Sequence, residues 1–214
     1  MESSPARTYR SELRSAQAAQ TRERVLHASA RLFAAHGYQA TTFAAIAREA
    51  GVSTETVKAA GSKAALLIAA FELTFAGTEG AESLTDTEAG AGVVALPDEV
   101  FLAAVIDRIV DANARGHALW TVLLGAAGSD ELVAGALQVM LTRRRADYRL
   151  LVSELARRGV IPAPSDELAD ELSFLMSPEG YQQLVSQSGW SRSRYTRWIA
   201  ERVLGWAGAA TVAG

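Results

Sequence analysis

Hydroxyl and ammonium side chains recur at short intervals in residues 42–63, which read TFAAIAREAGVSTETVKAAGSK. Ser, Thr and Lys side chains donate hydrogen bonds to phosphate oxygens, and the free N–H groups at a helix N-terminus do the same. Side chains on the first turn of a helix can also reach the base edges in a DNA groove. The chemistry available in this segment is therefore that of binding a polyanion.

Two short helices joined by a tight turn would present these side chains together. Ile46, Ala47 and Ala50 fall on one face of the first predicted helix, and Ala47 is small enough for a close helix crossing. Gly51 tolerates the positive φ of a turn, and Ser53 can cap the second helix. This pattern predicts a helix-turn-helix. The same spacing occurs in ordinary helical corners, which remain the alternative on this evidence alone.

Charge is distributed unevenly along the 214 residues, although the whole chain carries a net charge of only −3. Residues 1–63 hold nine basic and five acidic side chains, a net charge of +4, whereas residues 64–214 have a net charge of −7. A basic head on an acidic body is typical of a protein that meets a polyanion at one end. Arg7, Arg10 and Arg14 are interpreted as part of a solvated extension, with a minor-groove arm as the alternative.

Helical periodicity predicts an all-α chain of about nine or ten helices. The predicted domains are a flexible extension at 1–20, a three-helix helix-turn-helix domain at 21–63, and a larger helical bundle at 64–214 that binds a ligand and forms a dimer. Thr21 is expected to cap the first helix and Gly37 to end it, while residues 77–97 should form a loop. The later helices are predicted at 98–114, 118–127, 130–158, 166–176, 178–187 and 191–207, with Gly116 as a break and Ser129 as an N-cap.

The stretch from Thr21 to Leu67 resembles the DNA-binding region of the tetracycline-repressor (TetR) family of bacterial regulators, through RLFAAHGYQATTFAAIAREAGVS, TETV and SKAALL. The tail SPEGYQQLVSQSGWSRSRYTRWIAE resembles the C-terminal helices of actinobacterial members. This resemblance implies a homodimer on a palindromic DNA operator, acting most often as a repressor and released by a small molecule. The DNA-binding residues that it implies are Thr42, Ser53, Thr54, Glu55, Thr56, Lys58 and Lys63.

The segment VKAAGSK departs from the family pattern, which has a Tyr-x-x-Phe pair before the Ser-Lys. The Tyr that would contact phosphate is missing, and Ala60 stands near the usual Phe. The recognition helix is therefore expected to end early, at Gly61. This departure motivates the alternative function, a TetR-like dimer that has lost DNA binding and serves as a ligand-binding or protein-interaction module.

Bulky side chains on the middle helices are the candidates for an effector cavity, because pockets between bundle helices are mostly apolar. We expect a mostly apolar effector between the helices of residues 98–158, with lining residues drawn from Phe71, Phe75, Phe101, Trp120, Met140 and Tyr148. The basic run Arg143 to Arg145 with Arg149 is interpreted as a solvated helix face, with an anion site as the alternative. Apolar faces on the last helices predict a dimer interface at Leu168, Leu172, Leu175, Leu184, Trp198 and Val203, with burial inside one subunit as the alternative.

Enzyme activity is not predicted, since the sequence contains no nucleophile elbow, glycine-rich phosphate loop or paired metal-binding histidines. The chain has no cysteine, which removes disulfides and thiolate chemistry, and its three histidines are scattered. Acidic pairs lie at predicted helix starts, where the helix dipole accounts for them. No catalytic residue, cofactor or metal is therefore expected, and the absence of a signal peptide or apolar span predicts a cytoplasmic protein.

Overall fold

The computed structural model describes residues 5–83, 85, 87, 90 and 92–212, with side chains from residue 14 to residue 206. These residues form nine α-helices and no strand, and the eighth helix continues into a π-helical segment at Gln182–Gln187. The fold is therefore all-α, as predicted. The helices are α1 (Pro5–Ala40), α2 (Phe43–Ala50), α3 (Thr54–Ala60), α4 (Lys63–Ala76), α5 (Asp98–Ala127), α6 (Glu131–Arg157), α7 (Asp166–Leu175), α8 (Pro178–Tyr181) and α9 (Arg192–Val212).

The first of two apolar clusters holds the N-terminal helices together. Leu26 of α1, Ile46 of α2 and Val57 of α3 are fully buried against one another and against α4. The cluster continues into the body through Leu123 of α5 and Val133 of α6. The N-terminal helices and the C-terminal body therefore share one apolar core.

The second cluster forms the core of the C-terminal body. Phe101 of α5 and Tyr148 of α6 are buried with Leu172 of α7, Tyr195 and Val203 of α9. Burial of large side chains from four helices supplies the main stabilisation of this half. Leu172 and Val203 have no exposed surface in a single chain, so the prediction that they form the dimer interface was wrong: burial within the subunit is what the structure shows.

Three predicted helix boundaries also differ from the structure. Helix α1 begins at Pro5, so Thr21 lies inside it rather than capping it, and residues 5–20 are helical. Helix α5 passes through Gly116 without a break, because this glycine is buried where the Phe75 ring crosses the helix. Helix α6 is capped by Asp130 rather than Ser129: its carboxylate accepts from two backbone N–H groups, which a hydroxyl one residue earlier cannot reach.

Glycines account for two interruptions that were predicted correctly. Gly37 has φ 76° and ψ 177°, which breaks the helical course of α1 before Tyr38. Gly77 ends α4 in the left-handed region and leads into the long loop before α5. Within the described residues no single helix is long and apolar enough to span a membrane, although the bent pair α3 and α4, 73° apart, reaches that length and composition.

Candidate nucleic-acid interface and ligand cavity

The turn between α2 and α3 follows the expected helix-turn-helix chemistry. Thr42 caps α2 through its Oγ1, which accepts a hydrogen bond from the Ala45 backbone N–H at 3.2 Å. Gly51 lies in the left-handed region at φ 66°, and the Val52 N–H donates to the Ala47 carbonyl at 3.0 Å. These contacts satisfy the helix ends and fix the angle at which α3 leaves the turn.

Helix α3 presents its predicted contact residues on one exposed end. Ser53 caps the helix by accepting from the Thr56 N–H at 3.1 Å, and its hydroxyl also lies 2.9 Å from the Thr56 hydroxyl. Glu55 is exposed and Thr54 half-buried, whereas Val57 anchors the opposite face in the core. The arrangement leaves hydroxyls and free N–H groups available at the N-terminus of α3.

The end of α3 agrees with the early termination expected from VKAAGSK. The helix has seven residues and ends at Ala60, after which Gly61 adopts φ 148°. Lys58 is exposed in the last turn. Lys63 is half-buried: its ammonium donates to the Gln39 carbonyl at 3.1 Å and lies 4.8 Å from the centre of the Tyr38 ring. The sequence did not predict these contacts, which hold Lys63 against the segment that follows the kink in α1.

The arginines before the first predicted helix fall mostly outside the described side chains. Those of Arg7 and Arg10 lie outside that range, whereas Arg14 is exposed on α1.

Comparison with known proteins supports this interpretation of the head. Residues 25–70 match the family described as bacterial regulatory proteins, tetR family. The N-terminal segment is a tetR-type DNA-binding domain. A solved structure from Pseudomonas aeruginosa PAO1, described as a "putative transcriptional regulator", has a TM-score of 0.67 with 18% sequence identity and covers 89% of this chain and 90% of its own. At that identity the likeness shows the shared fold. No curated protein sequence matches the chain.

Polar contacts join the tetR-type domain to the body at two places. The Tyr38 hydroxyl donates to the Asp130 carboxylate at 2.7 Å, while the other oxygen of Asp130 caps α6. The hydrogen bond from Tyr38 lowers the pKa of Asp130, and burial together with Asp130 raises the pKa of Tyr38. Arg22 of α1 binds both oxygens of Glu79 and donates to the carbonyl of Ala60, the last residue of α3.

A cavity of about 120 Å³ lies between α4, α5, α6 and the loop after α4. The structure brings five of the six predicted ligand residues to its wall, and two of them come from α4, outside the range 98–158 where the effector was expected. These five residues are Phe71, Phe75, Trp120, Met140 and Tyr148. Burial raises the pKa of the Tyr148 hydroxyl, which donates to the Met176 carbonyl at 3.4 Å.

A second cavity of about 140 Å³ adjoins the first. Phe101, the sixth predicted residue, lines this second cavity rather than the first. Its wall is mainly aliphatic and includes Val93, Val105 and Leu151.

The basic run on α6 divides between the surface and the first cavity. Arg145 and Arg149 are exposed and pair with Asp170 and Asp166 of α7, as a solvated face would. Arg143 and Arg144 instead line the cavity, so the interpretation of the run as one solvated face was wrong for these two. The sequence could have indicated this division, because residues 143, 144 and 148 lie three, four and eight positions after Met140 and therefore share its face of the helix.

Four predicted dimer residues keep some exposed surface. Leu168, Leu184 and Trp198 are half-buried against the second cluster, and Leu175 is half-buried at the end of α7. Exposed apolar side chains also occur, including Phe174, 65% exposed, and Leu204, 55% exposed on α9.

Proposed function

We propose that the chain is a ligand-responsive transcription regulator that binds a palindromic DNA operator as a homodimer and acts as a repressor. The observation that carries this proposal is the capped helix-turn-helix at residues 42–60 within a matched tetR-type domain, beside a body that holds two cavities. Proteins that read DNA this way place the N-terminal side chains of the second helix in the major groove. A cytoplasmic location follows from this function.

The residues proposed to contact DNA divide into two groups. Thr42, Lys58 and Lys63 would contact phosphates, since they lie at helix ends around the turn. Ser53, Thr54, Glu55 and Thr56 occupy the start of α3 and would reach base edges.

We propose that the ligand acts on the helix-turn-helix through α4, which lines the first cavity and also packs against α1, α2 and α3. Phe71 and Phe75 line the first cavity and belong to α4, whose first residue is Lys63. A ligand that binds one tilt of α4 better than another would change the separation of the two α3 helices, which must be about 34–36 Å for half-sites one turn apart. Differential binding of about 1–3 kcal/mol is typical of such coupling.

DNA binding can be tested by fluorescence anisotropy with the DNA upstream of the chain's own gene at several salt concentrations. Lys58→Ala should weaken binding to every sequence and reduce the slope of log affinity against log salt by about 0.9 per lost phosphate contact. Thr54→Ala should instead change which sequence is preferred. Arg197→Ala, which removes an exposed charge on α9, is the matched control and should leave the slope unchanged.

A second candidate function is a dimer that has lost DNA binding and binds only ligands or proteins. The seven-residue α3, with no aromatic side chain before Gly61, favours this alternative. Absence of salt-dependent binding to any DNA, specific or not, would support it and contradict the first proposal.

The dimer is proposed to form through the outer surface of the last helices, by analogy with bundles in which two helices from each subunit pack together. Leu204→Glu places a charge on the exposed face of α9 without touching the core and should give a monomer in light scattering. Leu132→Glu makes the same change at a 66% exposed position in the first turn of α6 and serves as the control. A dimer that survives Leu204→Glu places the interface elsewhere.

A further inference from the structure

The two cavities share part of their walls. Phe75, Ile109, Asp147 and Tyr148 line both, so the two cavities adjoin at these side chains. Each cavity, at about 120 and 140 Å³, is close to the size of an apolar cavity of about 150 Å³ that admits a benzene ring. One ligand of roughly a dozen heavy atoms would fill both if it passed between the shared side chains.

The first cavity has a buried donor in its wall. Trp120 is 4% exposed, and its indole Nε1 is buried without a hydrogen-bond partner among the described residues. The Phe71 ring centre lies 5.4 Å from that of Trp120. A buried N–H without an acceptor costs free energy, which a ligand oxygen would recover once the side chains that cover Nε1 move aside to admit it.

The charged groups around the first cavity do not favour an ionised ligand. Three acidic and two basic side chains line the same cavity: Glu72, Glu82, Asp147, Arg143 and Arg144. Arg143 donates to the Ala81 carbonyl, and Arg144 donates to the Ser173 backbone and hydroxyl. Both signs of charge are present and both arginines have partners, so either an anion or a cation would meet a like charge nearby.

The second cavity has no unpartnered buried donor among the described residues, since the Tyr148 hydroxyl that lines both cavities already donates to the Met176 carbonyl at 3.4 Å. Arg108, Asp147 and Glu154 also border this cavity. Its wall is formed mainly by aliphatic and aromatic side chains of the loop before α5, of α5 and of α6, such as Val93, Val105 and Leu151. A hydrocarbon chain fits this lining, because apolar surface removed from water is its main source of affinity.

We propose that the effector is a neutral amphiphile of about ten to a dozen heavy atoms, with a carbonyl-type oxygen that accepts from Trp120 Nε1 in the first cavity and an alkyl chain that occupies the second. This proposal rests on the proposed function only in calling the ligand an effector. The ligand class itself follows from the cavities.

The ligand class can be tested by calorimetric titration of the full chain with three nine-carbon probes and one shorter ketone. Nonan-2-one should bind at one molecule per chain, and both nonanoate and nonylammonium should bind at least tenfold more weakly. Pentan-2-one lacks four methylenes and should bind on the order of 100-fold more weakly, since each buried methylene contributes roughly a factor of four. Equal affinity for pentan-2-one overturns the two-cavity span, and tighter binding of either ion overturns the neutral head.

Two variants test the oxygen end and the alkyl end of the ligand independently. Trp120→Phe keeps an aromatic ring but removes the N–H donor, so the affinity for nonan-2-one should fall about five- to tenfold. Ala112→Leu fills space in the second cavity only and should reduce the affinity difference between nonan-2-one and pentan-2-one. The indole N–H resonance of Trp120, assigned by its loss in Trp120→Phe, should move to higher frequency when the ketone binds. An unmoved resonance overturns the hydrogen bond even if a variant folds poorly.

DNA binding is measured separately on the same samples. Ketone binding without any DNA binding would contradict the proposed function and leave the ligand class standing. DNA binding without ketone binding would contradict the ligand class alone.

Discussion

Gly116 lies where α5 crosses α4, and its replacement by Ala should show how tightly these helices are coupled. A Cβ at this position would lie 2.9 Å from Cδ2 and 3.2 Å from Cβ of Phe75. The first contact can be relieved by rotating the ring, but Phe75 Cβ is attached to the backbone of α4, so the helix itself must move. Overpacking of this kind costs about 1–3 kcal/mol.

Helix propensity acts in the opposite direction at the same position. Ala is preferred over Gly inside a helix by about 0.5–1 kcal/mol. Gly116→Ala is therefore expected to lower the free energy of unfolding by about 1 kcal/mol. Gly125→Ala on the same helix is the matched control, since Gly125 is exposed and no atom lies within 4 Å of a Cβ built there. The free energy of unfolding of Gly125→Ala should rise by about 0.5–1 kcal/mol.

Urea unfolding of the two variants beside the wild type measures both effects, because the free energy of unfolding falls linearly with denaturant. The packing reasoning is refuted if Gly116→Ala is stabilised as much as Gly125→Ala. Titration with nonan-2-one adds a second readout, since Phe75 lines both cavities. Its displacement should weaken ketone binding in Gly116→Ala and leave Gly125→Ala unchanged.

Three further changes test other contacts. Hydrogen bonds from Arg157 and then Arg158 lower the pKa of Glu154 to about 2, so its stabilisation is present above the unfolded pKa of about 4.3 and is lost as pH falls towards about 2. Glu154→Gln should thus be less stable near neutral pH, and the deficit in urea unfolding should disappear over that acid range. Leu172→Ala should cost about 2–5 kcal/mol in the same assay, whereas a cost near zero would contradict its burial. Tyr38→Phe should leave ketone affinity intact but reduce the effect of the ketone on operator affinity, and an unchanged effect would remove this contact from the coupling route.

Local sequence patterns were sufficient to predict the helix-turn-helix. Caps at Thr42 and Ser53 and the turn at Gly51 depend on residues within four positions of one another, so the sequence contains the whole interaction. The tetR-type match and the helical fold agree with what these short-range signals predicted. The base-contacting roles of α3 remain predictions.

Long-range packing explains where the sequence was misleading. Gly116 resembles a helix break because a glycine weakens a helix, and only the Phe75 ring, 41 positions away, gives the reason for keeping it inside α5. Leu172 and Val203 belong to an apolar face that fits a partner subunit or the chain's own core equally well. The choice depends on how α7 and α9 pack against α5 and α6, which the periodicity of each helix does not contain.

The cavity lining shows an intermediate case. Bulky side chains on α4, α5 and α6 were predicted to face a ligand, and five of them, four aromatic residues and Met140, line one cavity. Arg143 and Arg144 were missed because a basic run is most often solvated, yet the turn of the helix separates them from Arg145 and Arg149. The paired acids Asp166 and Asp170 lie on α7, so which arginines face outward depends on the position of another helix.

Helix α6 joins the first cavity to the helix-turn-helix segment through side-chain contacts. Its middle turns carry Met140 and Tyr148 in the first cavity, and its capping residue Asp130 accepts the hydrogen bond from Tyr38. The Tyr38 ring in turn lies beside the ammonium of Lys63, at the start of α4. A ligand that displaces α6 along its axis would strain the Tyr38 contact, while one that displaces Phe75 would move α4 directly. Both movements would reach Lys63, the residue proposed above to contact a DNA phosphate.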